Sequence, residues 1–92
     1  MSFELIFRKS AEIDLADIQN YYNKISPKIT DNFFKELFST FDYIQSEPKL
    51  FQVRYRGISI APLYQFPYGI HYIEKVNQII IFRVLHTKRY FK

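Results

Sequence analysis

The spacing of apolar positions along the chain changes several times, and each change marks an element. Phe3, Leu5 and Phe7 alternate with Glu4, Ile6 and Arg8, the period of a mostly buried strand. Ala11, Leu15, Ile18, Tyr22 and Ile25 then recur every three or four residues, on one face of a helix. Ser10 is the expected N-cap, with Glu12 and Asp14 in a first turn whose dipole favours negative charge. Ser26-Pro27 restarts the chain with a cap residue and a proline at the first helical position, where the missing N–H costs nothing. Ile29, Phe33, Leu37, Phe41 and Ile44 continue at helical spacing, in a stripe widened by Phe34 and Phe38. Pro48 ends this second helix, because the residue before a proline is pushed out of the helical region.

From Arg54 onward the chain turns to β-branched and aromatic residues. Ile58 and Ile60 begin a second strand, and Pro62 marks an edge or a bulge in it. Tyr68, Ile70 and Tyr72 alternate with Gly69, His71 and Ile73. After a turn near Lys75-Val76-Asn77, residues 78–86 form the most apolar strand. The expected order is β-α-α-β-β-β in one α+β domain spanning residues 1–92. An antiparallel sheet packs against an N-terminal helical hairpin, with the last three strands as a meander. No repeat, linker or low-complexity tract interrupts it.

Composition narrows this picture. Ten Phe and eight Tyr supply large core side chains for a chain of only 92 residues. Without cysteine there is no disulfide framework and no thiolate metal site, and the cytoplasm is the expected compartment. No leader pattern precedes the first strand, and the longest apolar run, Ile79 to Phe82, is far shorter than a membrane span. Charge is segregated. Residues 1–47 carry five Lys/Arg against eight Asp/Glu, a net of −3, whereas residues 48–92 carry eight Lys/Arg against Glu74 alone, a net of +7. Such a field favours an anionic partner at the strand end.

The candidate chemistry lies in that basic half, with Arg54, Arg56, Arg83, Lys88, Arg89 and Lys92 among its cations. Arg83 is read in phase with Ile79, Ile81 and Leu85. A guanidinium there needs either an acid such as Glu74 or a site that receives an anion, and the second is preferred. His71 reads as a structural strand residue. His86 ends the most apolar strand beside Lys88 and Arg89, where an imidazole can act as a general acid, bond a phosphate or cap the strand. Tyr55, Tyr64, Tyr68, Tyr72 and Tyr90 interleave with the cations as a nucleic-acid platform would. In so small a domain most of them are expected in the core, Tyr90 excepted. No phosphate-cradling glycine loop, nucleophile elbow or carboxylate pair is present, and neither a cofactor nor a metal is expected.

Three ordered features give the chain its resemblance. The first helix carries Ala11, Asp14-Leu15, Ile18 and Tyr21-Tyr22; the second runs into Pro48; and the strands carry Phe66-Pro67-Tyr68-x-Ile70-x-Tyr72 and Val84-Leu85-His86-x-x-Arg89. Over essentially its full length the chain resembles the ParE branch of the RelE/ParE toxin superfamily. The resemblance implies a curved antiparallel sheet with a helical hairpin on one side. It also implies the toxin half of a two-gene toxin–antitoxin operon, acting inside the cell and neutralised by a cognate antitoxin.

Two mechanisms follow from the resemblance. A ParE-like toxin binds and poisons DNA gyrase without chemistry of its own, using Arg54, Arg56, Arg83, His86, Lys88 and Arg89 toward target or antitoxin. A RelE-like toxin cuts mRNA on the ribosome, with His86, Arg89 and Tyr90 as candidate catalytic residues. RelE-type toxins commonly carry arginine where Gly69 stands, and ParE-type proteins often do as well, so Gly69 departs from both; the ParE-like mode is preferred. A third reading is a non-toxic remnant that still binds antitoxin. The antitoxin is expected in an apolar groove beside the hairpin and on the basic sheet face, and a homodimer or toxin–antitoxin hetero-oligomer is compatible with the exposed side of the hairpin. Arg83→Ala and Arg89→Ala are expected to weaken toxicity without unfolding the domain.

Overall fold

The computed structural model describes residues 3–89. The chain runs β1 (Glu4–Phe7), α1 (Lys9–Asn23), α2 (Pro27–Ser46), β2 (Val53–Tyr55), β3 (Ile58–Pro62), β4 (Tyr68–Lys75) and β5 (Gln78–His86), then a 3-10 turn over Thr87–Arg89. This is the expected α+β order with one more strand. β2 was not anticipated because three residues are too few to show a period. The five strands lie in the order β1-β5-β4-β3-β2. β1 pairs parallel with β5 and the other neighbours are antiparallel, so the sheet is mixed.

Both helices bury most of the stripes that their spacing marked, although Phe38 of the widened second stripe is left 60% exposed. α2 buries Phe33, Leu37, Phe41 and Ile44, and α1 buries Ala11, Ile18 and Tyr22. Truncating one such large core side chain costs about 3–5 kcal/mol. The Ser26 hydroxyl caps α2 by accepting from the Lys28 amide at 3.2 Å. α1 differs from expectation at both ends. It starts at Lys9, its N-cap Arg8 makes no side-chain cap bond, and the Ser10 hydroxyl donates instead to the Phe82 carbonyl at 2.7 Å. It ends at Asn23, which leaves Ile25 beyond the stripe and exposed.

The helices cover one sheet face, where Leu5, Phe7, Ala61, Ile70, Tyr72, Ile79, Ile81 and Val84 join the core. Around Tyr22 and Phe33 an aromatic cluster takes in Phe66 and Tyr68 with edge-on rings. Edge-on contact sets the positive rim of one ring against the negative face of the next. The buried Tyr72 hydroxyl donates to the Pro48 carbonyl at 2.7 Å, tying β4 to the end of α2.

A bulge decides the geometry of β5. His71 stands opposite Arg83, but its neighbour Tyr72 stands opposite Ile81, so Phe82 is the extra residue. The bulge inverts the alternation: Ile79 and Ile81 face the core before it, and Val84 does so after it. Arg83 is therefore not in phase with Ile79 and Ile81 as expected. It joins Leu85, Gly69 and His71 on the helix-free face.

Candidate interaction site

The bulged half of β5 borders α1. β1 pairs with β5 only as far as Ile81, so the outer edge beyond it needs other partners for its backbone groups. The start of α1 supplies them. The Arg8 amide reaches the Ile81 carbonyl at 3.0 Å, Ser10 reaches the Phe82 carbonyl, and Asp14 accepts the Val84 amide at 3.0 Å. The same carboxylate accepts Arg83 Nε at 2.7 Å and Nη2 at 3.0 Å, a bidentate fork. The Asp14 bond raises the Arg83 pKa further above its ordinary value, and that contribution outweighs the opposing effect of burial.

Arg83 is thus paired, with Asp14 rather than with Glu74 or an awaited anion. Glu74 lies 3.6 Å from the exposed Lys49, a pair worth little in water. Toxicity lost in Arg83→Ala would therefore not by itself separate target binding from a loosened β5.

On the helix-free face His71 is fully buried, and its Nδ1 shares a 2.8 Å hydrogen bond with the Tyr55 hydroxyl of β2. Burial first, and then the Arg83 charge, lower its pKa to about 4, so the imidazole is neutral at pH 7. His86 is placed elsewhere. It pairs with Tyr68 on the helix side of the sheet, the two rings edge-on at 5.3 Å. Its Nδ1 accepts the Lys88 amide at 3.2 Å. With Asp17, Tyr21 and Tyr68 it lines a cleft of about 230 Å³ beside α1.

The expected site residues accordingly divide. Arg83 and His86 lie on opposite faces of the sheet. Lys88 is exposed in the 3-10 turn, Arg89 is that turn's last residue, and Tyr90 and Lys92 lie outside the described residues. Arg54 and Arg56 are exposed at the β2–β3 hairpin.

Three further residues carry functional geometry that the sequence reading did not assign. Asp14 is the first; its place three residues after Ala11 and four before Ile18, inside the buried stripe, was a usable signal. Tyr55 is the second; it stood among the tyrosines that interleave with the cations, but nothing in its local sequence marks its bond to His71. Glu36 is the third: its carboxylate accepts the Tyr64 and Gln65 amides and holds the loop before β4 against α2. Beside that contact an apolar groove of about 440 Å³ is lined by Thr40, Tyr43, Leu50, Phe51, Pro62 and Tyr64. Among the described residues no helix is long and apolar enough to cross a membrane.

Comparison with solved structures agrees with this architecture. The chain is similar to a chain described as the chromosomal ParDE toxin–antitoxin system from P. aeruginosa, at 19% identity and a TM-score of 0.79, covering 92% of this chain and 96% of that one. It is also similar to a chain of the toxin–antitoxin complex RelBE2 from Mycobacterium tuberculosis, at 20% identity and a TM-score of 0.60, covering 94% and 99%. At these identities the likeness shows the fold alone. No match is found among curated proteins. The family model for the ParE toxin of the type II toxin–antitoxin system parDE matches residues 5–91. The chain belongs to the ParE toxin family of type II toxin–antitoxin systems.

Proposed function

We propose that this toxin arrests bacterial growth by binding DNA gyrase, and that a cognate antitoxin neutralises it inside the cell. What supports the binding mode over mRNA cleavage is the match to the ParE family, together with the separation of His86 from Arg83, which leaves that imidazole with Lys88 and Arg89 as its neighbouring cations in sequence. Transfer of a phosphoryl group to a 2′-hydroxyl needs a proton-transfer group and a cation at one phosphorus. Here the imidazole lies on the helix side of the sheet, while the guanidinium lies on the other face and is engaged by Asp14. Gly69 brings no cation to β4 between Pro62 and Leu85.

The antitoxin reading rests on family membership and on the surface. A tail that orders as it binds must gain enough contact to offset the ordering cost. The groove of Tyr43, Leu50, Phe51 and Tyr64 offers apolar area, and the basic strand half offers charge for an acidic tail.

Pulse labelling of DNA and protein synthesis, just after inducing this chain alone in a bacterium, tests the proposal. DNA synthesis is expected to fail first, with normal growth restored by co-expressing the antitoxin. Translation failing first would replace this reading with ribosome-dependent cleavage, and unimpaired growth would leave a non-toxic antitoxin-binding protein.

A further inference from the structure

The β2–β3 hairpin carries geometry that neither the core nor the Asp14 fork requires. Its two-residue turn is Arg56-Gly57, with φ of 47° and 77°. Two successive positive φ values suit a hairpin, because they match the twist of its strands, and glycine, asparagine or aspartate normally fill them. An arginine at the first of these positions accepts backbone strain that asparagine would largely avoid. One residue earlier the register slips, with Val53 opposite Ser59 but Tyr55 opposite Ile58, so Arg54 is bulged out of the ladder.

Tyr55 stands between these two arginines, and its hydroxyl is held by His71 at 2.8 Å. That bond ties the short edge strand to a buried group in the middle of the sheet, while the residue stays 40% exposed. Arg54 and Arg56 are exposed, and the ion pairs among the described residues, Lys49–Glu74 and Arg83–Asp14, involve neither. The hairpin therefore presents two exposed guanidiniums outside those ion pairs, flanking in sequence a ring oriented by His71.

We propose that this hairpin is a nucleic-acid-binding element, in which Arg54 and Arg56 grip the phosphodiester backbone and Tyr55 offers its ring to a base. The bulge at Arg54, the strained turn at Arg56 and the tether on Tyr55 together carry the assignment. Guanidinium forks match phosphate oxygens, and an aromatic face between cations is the arrangement that single strands stack on. An acidic peptide would use the cations and leave the ring idle. The +7 charge of residues 48–92 draws a polyanion to the strand half of the molecule. The assignment does not depend on the gyrase reading, since it concerns contact with nucleic acid by the chain itself.

Fluorescence anisotropy with labelled single-stranded DNA about 20 nucleotides long, over about 50–200 mM salt, provides the test. Arg54→Ala/Arg56→Ala is expected to weaken binding at least tenfold, and to flatten the slope of log K against log salt by about 1.4, the loss of two phosphate contacts on a single strand. Tyr55→Ala is expected to weaken binding at least fivefold, and Tyr55→Phe much less. Lys9→Ala/Lys24→Ala removes the same charge from α1 and is expected to change little; circular dichroism checks the fold of each variant. The assignment is overturned if the wild-type chain does not bind the strand. It is also overturned if the hairpin variant binds like wild type, if the α1 variant loses as much, or if the hairpin variant loses affinity only for a polyglutamate peptide.

Discussion

The two halves of β5 are held by different physics. Residues 78–81 pair on both sides, with β1 and β4, and set Ile79 and Ile81 fully into the core. Residues 82–86 follow the bulge, have β4 on one side only, and meet α1 along the other through Ser10 and Asp14. Burial of apolar surface secures the first half, and it is non-directional. Directed polar bonds secure the second, and these specify a single alignment of helix and strand. Four of the expected interaction residues lie in the second half or follow it directly: Arg83 and His86 in the strand, Lys88 and Arg89 in the turn after it.

The largest expected effect is in the apolar half. Ile81→Ala leaves a cavity in the core and should lower unfolding stability by about 3–4 kcal/mol in urea melts. A loss below about 1 kcal/mol would show that the first half is not held by burial.

Asp14→Ala tests the polar half. It strands the Val84 amide and leaves Arg83 without its acid, at a cost of about 2 kcal/mol, the Arg83 share being reduced by that side chain's partial exposure. A double-mutant cycle with Arg83→Ala should show positive coupling. If the two losses simply add, the fork contributes no stability and Arg83 becomes available again as a binding residue.

A similar but pH-dependent effect comes from His71, opposite Arg83. Its folded pKa of about 4 lies below the ordinary 6.5, so the unfolded chain binds more protons between those values. Stability from the neutral imidazole is complete above about pH 6.5 and is lost as pH falls toward 4, by roughly 2–3 kcal/mol. Urea midpoints for wild type and His71→Gln should therefore converge as pH is lowered through this window. Parallel curves would mean that the imidazole titrates alike in both states.

Ser10→Ala is expected to have the smallest effect, about 0.5–1 kcal/mol, because the Phe82 carbonyl lies at an exposed edge where water can replace the hydroxyl. A larger loss would mean that this contact helps to hold the bulge itself.

What could be read beforehand divides along the same line. The helical stripes were legible because burial imposes a period of 3.6 on a helix, and Phe33, Leu37, Phe41 and Ile44 keep that period throughout. Ser26-Pro27 and Pro48 marked the ends of α2 by local backbone chemistry. The alternation of Tyr68, Ile70 and Tyr72 likewise placed β4 and its core face. The errors fall where a long-range partner overrides a local rule. Ser10 has the chemistry of an N-cap and spends it on β5. Asp14 suits a first helical turn and instead binds a strand in the second half of the chain.

By itself, then, the sequence determined the family, the α+β order, the buried faces of both helices and the concentration of positive charge in the second half, all set by near neighbours or by simple counting. Only the tertiary structure decided the parallel seat of β1, the bulge at Phe82, the pairing of Arg83 with Asp14 and the placing of His86 away from Arg83. One inserted residue inverts every later side chain of a strand, and a hydrogen-bond partner some seventy positions away leaves no periodic trace in the chain.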